Sequence, residues 1–178
     1  VNIFEKSYRE YKESGGETDL SEIYWKKLKI TKNEKSTTNK WLFNYQYAGI
    51  IANTIPNAKI IHCYRNPLDN ILSIYRAHFS TGNSFSSSLI DCAKVYSDQE
   101  EVMKIYKKEF RSSIYDINYD KLVTNPIEEI KSLIDWLQWE WNDIYLSPHL
   151  NQRSVFTRSN VEVRSSINSK SLGGWKNY

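Results

Sequence analysis

Arg65 ends the apolar run "AKIIHCYR", and Ser73 follows eight positions later in "NPLDNILS". A guanidinium presents a planar fork of donors matched to a phosphate or sulfate, and a serine hydroxyl adds one short bond to another oxygen of the same group. The spacing constrains that reading. If Asn66 caps a helix, Ser73 lies roughly 10 Å along it at about 1.5 Å per residue, so a shared anion sits beside the helix and gains little from its dipole. Local chemistry offers an alternative: Arg65 pairs with Asp69, and the Ser73 hydroxyl bonds back to a backbone carbonyl. Spacing alone leaves both readings open.

Both residues depend on the elements that carry them. "AKIIHCY" is short, rich in β-branched residues and bounded by turn signals, which suits a strand buried on both faces of a parallel sheet. Asn66 is a good N-cap, Pro67 suits the first helical position, and Asp69 falls where a carboxylate meets the helix dipole. The apolar side of that helix is Leu68, Ile71, Leu72, Tyr75 and Phe79, while Ser73 projects with Asn66, Asp69 and Asn70.

Elsewhere, periodicity predicts helices over residues 2–13 and 19–29, separated at Gly15-Gly16, and from Asn44 to Thr54, stopped by Pro56-Asn57. A long helix runs from about Ser86 to Phe110, with a seam of Leu89, Ala93, Tyr96, Met103, Tyr106 and Phe110. "SSIYDINYDKLV" gives a second strand ending near Tyr119. Asn125 and Pro126 open a further helix, and the tail from Asn151 is mostly loop. Strands and helices in this order predict an α/β domain with a parallel sheet flanked by helices. Ligands on such sheets bind beyond the carboxyl ends of the strands, where Arg65 and Tyr119 both stand.

Composition limits the function classes. A chain of 178 residues reads as one domain over 1–178, and 40% hydrophobic with 14% aromatic residues argues against disorder. No apolar run approaches the roughly 20 residues of a membrane helix. Charges interrupt the opening "VNIFEKSYREYKESGG", so no signal peptide is read and a cytoplasmic location is expected. Cys63 and Cys92 sit in apolar patterns that suit buried, inert thiols. His62, His78 and His149 lack metal-ligand spacing, so no metal is expected. Lys26, Lys27, Lys29, Lys32, Lys35 and Lys40 crowd into fifteen residues, and the first five read as a solvated helix face and loop.

"NKWLFNYQYAGII", "PNAKIIHCYRNPLDNILSIY", "YDINYDKLVTNP" and "RSVFTRSNVEVRSSINSKSLGGWKNY" occur in this order from about Asn39 to the last residue. Together they resemble the sulfotransferase family that uses 3'-phosphoadenosine 5'-phosphosulfate (PAPS), and within it the bacterial and tyrosylprotein sulfotransferase-like branch. The resemblance implies a P-loop-NTPase-like sulfotransferase fold. It places Arg65 and Ser73 on the cofactor's 3'-phosphate and Tyr119 on the nucleotide, with Asp120 replacing a glutamate. It gives Lys40 of "NKWLF" the sulfuryl group, with Leu42 where proline is usual, and adds Ser159, sixteen residues before Trp175. Ala77 and Gly174 depart from the branch's arginine and lysine, and Arg76, Arg164 and Lys176 are candidate substitutes.

The chemistry fits these residue types. Sulfuryl transfer develops negative charge on oxygens, so it calls for positioned cations and hydroxyl donors, with a base for the acceptor's proton. The phosphate-cradling loop between a first strand and helix is missing: Gly15, Gly16, Gly49, Gly82, Gly173 and Gly174 lie in no such setting. The resemblance therefore implies a fold truncated at the amino terminus, and Glu17 is a candidate base only by proximity to Gly15-Gly16. The function read is sulfuryl transfer from PAPS to an acceptor hydroxyl, weak or absent in this chain alone. The partner is a protein, carbohydrate or small-molecule hydroxyl, with no nucleic acid and no membrane. A non-catalytic module that binds a 3'-phosphonucleotide is the alternative, and a nucleic-acid-binding domain built on the lysines and tyrosines a third.

Overall fold

The computed structural model describes residues 2–28, 36–77, 79, 82–152 and 162–178. Seven α-helices and two strands are formed by these residues: α1 (Ile3–Glu13), α2 (Leu20–Leu28), α3 (Ala48–Thr54), β1 (Ile60–Tyr64), α4 (Pro67–Arg76), α5 (Leu89–Glu109), β2 (Ile114–Asn118), α6 (Tyr119–Thr124) and α7 (Pro126–Leu137). Single 3₁₀ turns connect or extend several of them. β1 and β2 pair as a two-stranded parallel sheet, so the molecule is α/β. None of the described helices is long and apolar enough to cross a membrane.

The chain divides into two compact units. The first comprises Val1–Ile60 and Val102–Ser113. Its core is Phe4, Leu20, Tyr24 and Ile55, with Tyr8, Tyr11, Tyr47, Ile50 and Ile51 packed against it. Phe4 meets Tyr24 edge-on at 5.6 Å between ring centres, a geometry that suits the ring quadrupoles. Asn2 caps α1 by accepting from Phe4 N. Its amide also bonds Asn44 and Asn39, so the entry to α1 is tied to the segment beyond α2. In α3, Gly49 lies against the ring of Tyr106.

The second unit comprises Ile61–Glu101 and Ile114–Tyr178. Here Cys92, Ile117, Ile130 and Ile134 are buried, and α7 packs on β2 through Tyr115 and Trp136, 5.1 Å apart. His62 on β1 is also buried. Its Nδ1 lies 3.0 Å from Asp116 Oδ1 on β2, and its Nε2 lies 3.3 Å from Gln99 Nε2 on α5. Burial of such a polar ring is tolerated because both nitrogens have partners.

Several expectations need correction. β1 is not covered on both faces: Ile61 is 41% exposed and Cys63 is exposed, so only Cys92 is a core thiol. Side chains alternate along a strand, so Ile61 and Cys63 share the face opposite the buried His62. Leu42–Tyr47 winds as a 3₁₀ turn before the α-helix begins at Ala48. The long helix starts at Leu89, since Ser88 closes the preceding turn and its Oγ accepts from Asp91 N. Tyr119 opens α6 instead of ending the strand, because Asn118 accepts from Lys121 N and turns the chain into a helix there.

Candidate functional site

At the end of β1 the chain bends sharply. Asn66 Oδ1 accepts from Leu68 N at 3.0 Å and Asp69 N at 3.2 Å, and Pro67 presets the first helical turn. Arg65 is thereby left at the carboxyl end of the strand. Two further contacts hold this bend: Tyr96 Oη on α5 donates to Arg65 O at 3.3 Å, and Asp120 Oδ2 on α6 accepts from Asn66 N at 2.9 Å.

The Arg65 side chain, 20% exposed, is held on three sides. Its guanidinium lies over the Tyr119 ring at 5.1 Å, Nη2 donates to Ser171 O at 2.8 Å, and Nη2 stands 3.9 Å from Asp69 Oδ2. The Arg65–Asp69 pair that local chemistry suggested is therefore formed. Arg65 Nε and Asp120 Oδ1 are buried and have no hydrogen-bond partner among the described residues.

Asp69 departs most from its sequence reading. Instead of lying on a solvated helix face, it is 5% exposed. Its Oδ2 accepts from Gly173 N at 2.7 Å and its Oδ1 from Trp175 N at 3.0 Å, so a distant segment covers that side of α4. The reversal is visible on the expected apolar side too, where Leu68, Tyr75 and Phe79 are 47%, 39% and 37% exposed.

Arg65 and Tyr119 are thus brought together. Ser73 is exposed on α4, in the same unit. Lys40 belongs to the first unit, where it lines a cavity of about 340 Å³ with Asn2, Thr38, Asn39, Trp41, Ile3 and Leu28. Ser159 and His78 lie outside the described residues. Glu17 is exposed in the turn after Gly15-Gly16. Of the candidate substitutes, Arg76 lies over the Tyr178 ring at 5.7 Å and Arg164 donates to Asn151 O, while Lys176 is exposed.

Tyr96 and Asp120 escaped the sequence reading as structural members of this site. Burial pushes the Tyr96 phenol above its ordinary 10.0, and the nearby Glu100, Asp120 and Tyr64 push the same way, so it stays a neutral donor. A lone tyrosine in a helix seam carries no signal of that partner. Among the described residues, no group of three or more His, Cys, Asp or Glu is arranged to hold a metal ion. Chemically, the site is a partly exposed cation held at a strand end, suited to a bound oxyanion.

A solved structure of a sulfotransferase domain from the curacin biosynthetic pathway has a similar fold, with a TM-score of 0.59 at 18% identity over 74% of this chain and 53% of that one. An uncharacterized protein of Aquifex aeolicus (strain VF5) is 30% identical over 153 residues, 84% of this chain and 20% of that protein. This chain therefore spans about a fifth of that relative's length. The sulfotransferase family model matches residues 3–143, from the start of α1 to the residues beyond α7, and the chain belongs to the sulfotransferase family.

Proposed function

We propose that this chain serves sulfuryl transfer from PAPS to an acceptor hydroxyl, with Arg65 and Ser73 on the donor's 3'-phosphate and Tyr119 against its nucleotide. Lys40 and Ser159 are assigned to the sulfuryl group. The observation that carries the reading is the Arg65 guanidinium, fixed over Tyr119 at the carboxyl end of β1. The residues present fit an anion. Arg65 Nε is buried without a partner among the described residues, and the Asp69 carboxylate paired with the guanidinium stands at 3.9 Å, beyond hydrogen-bond distance.

The donor, when bound, brings the sulfuryl group that the acceptor oxygen receives. Arg65 binds and orients the far end of the nucleotide, Tyr119 keeps the guanidinium plane in place, and the Lys40 ammonium offsets charge on the transferring oxygens. A base must take the acceptor's proton, and Glu17 is the candidate. The acceptor is a hydroxyl on a protein, a carbohydrate or a small molecule. No metal, nucleic acid or membrane enters the reading, and a cytoplasmic setting suits it.

Transfer by these 178 residues alone is proposed to be weak, because none of the six glycines lies between a described strand and its following helix to cradle the 5'-phosphate. That same observation supports a second reading, a module that binds the 3'-phosphonucleotide without transfer. Calorimetry with adenosine 3',5'-bisphosphate tests the shared part of both. Arg65→Ala should lose about 10- to 150-fold in affinity, the equivalent of one charge-assisted contact, and Ser73→Ala less. Equal affinities for the parent and Arg65→Ala would remove the assignment. Turnover with labelled PAPS and phenolic, peptide and sugar acceptors separates the two readings.

A further inference from the structure

Asp69 is linked to Arg65 through a segment more than a hundred positions away. It is nearly fully buried, and both carboxylate oxygens are used: Oδ2 accepts from Gly173 N and Oδ1 from Trp175 N, while Oδ2 also faces Arg65 Nη2 at 3.9 Å. The segment it holds returns to Arg65, because Ser171 O accepts from Nη2 at 2.8 Å. The contacts close a ring from Arg65 to Ser171, along the chain to Gly173, across to Asp69 and back to Arg65. Gly173 makes this path possible: its φ of +67° lies in the left-handed region that favours glycine. At Gly174 an added Cβ would stand 3.6 Å from Asp69 Oδ1, so the segment lies close against the carboxylate.

We propose that Asp69 is a positioning residue: it latches the Ser171–Trp175 segment onto the first turn of α4, and the latched Ser171 carbonyl fixes the rotamer in which Arg65 meets the 3'-phosphate. Arginine has five N–H donors in a rigid plane, so committing one to Ser171 O sets the direction of the others. Asp69 itself touches no substrate in this account. Its carboxylate is suited to the task because Gly173 N and Trp175 N approach different oxygens, and an amide would turn its NH₂ group toward one of the two donors. The proposal rests on the assignment of Arg65 to the 3'-phosphate.

The test combines residue-resolved amide exchange with calorimetry on the full chain. In Asp69→Asn, the Gly173 and Trp175 amides should exchange at least about tenfold faster while the amides of α4 keep their protection. Affinity for adenosine 3',5'-bisphosphate should fall about tenfold, and affinity for adenosine 5'-monophosphate, which lacks the 3'-phosphate, should not change. A merely structural loss would weaken both ligands alike and overturn the proposal. Gly173→Ala, which strains the segment from its own side, gives a second variant should Asp69→Asn fold poorly. The double variant should bind no worse than the weaker single one, since both act through one latch. Unchanged exchange at Gly173 and Trp175 in Asp69→Asn overturns the latch. A parent chain that binds no bisphosphate overturns the Arg65 assignment together with this inference, and the parent isotherm tells that failure from failure of the latch alone.

Discussion

Asp120, in the first turn of α6, accepts the backbone N–H of Asn66 at 2.9 Å, so the bend that carries Arg65 out of β1 is tied to the helix that opens with Tyr119. The two residues are 54 positions apart in sequence. This bond ties together the two backbone segments that carry Arg65 and Tyr119. The carboxylate serves only one side of its capacity, since Oδ1 is buried without a hydrogen-bond partner among the described residues.

Replacing Asp120 should therefore cost stability at the low end of the charge-assisted range. A hydrogen bond to a charged group contributes about 1.5–3 kcal/mol, and the under-used oxygen offsets part of it. Asp120→Ala is expected to lose about 1.5 kcal/mol and Asp120→Asn less, because an amide oxygen still accepts from Asn66 N. Urea denaturation midpoints measure both. Equal midpoints for the parent and the alanine variant would show that the tie contributes nothing.

Gly49 in α3 sets two effects against each other. Alanine within a helix is favoured over glycine by about 0.5–1 kcal/mol. An added Cβ would stand 2.7 Å from Tyr106 Cδ1, however, and that ring is held by a bond from its hydroxyl to Gln46 O at 3.4 Å. Overpacking of this kind costs typically about 1–3 kcal/mol, so the clash outweighs the helix gain. Gly49→Ala should lower the melting temperature. A higher one would mean that the ring moves aside at little cost.

Alkaline pH should destabilise the fold through its tyrosines. Burial raises the Tyr96 pKa above 10.0, and burial likewise raises those of Tyr47 and Tyr115. The unfolded chain releases these protons first, so their contribution is complete below about pH 10 and is lost as pH rises toward the folded values. Urea midpoints should hold up to about pH 10 and fall above it, and they should fall less in Tyr96→Phe. An equal fall in that variant would assign the alkaline loss to other groups.

Much of the frame around Arg65 follows from local chemistry. Asn66 and Pro67 announce α4, and Asn125 and Pro126 announce α7, because a side-chain cap and a fixed proline φ act within a few residues and need no tertiary partner. The apolar run of β1 and the helix-forming periodicity of α5 are legible for the same reason. The short α6 was not, since "YDKLV" continues a strand-like pattern and only the Asn118 cap turns it.

By itself the sequence determined that Arg65 stands at a strand end before a capped helix, and that a second strand ends near Tyr119. Only the tertiary structure decided what surrounds them. A helical wheel assigns Asp69 to solvent because its side chain is polar. The fold buries it instead, because Gly173 and Trp175 bring two backbone N–H groups that satisfy the carboxylate. The open face of β1 at Ile61 and Cys63 has the same origin. Periodicity records which side of an element can be buried. Whether a partner arrives to cover it depends on contacts between distant positions, which no local pattern contains.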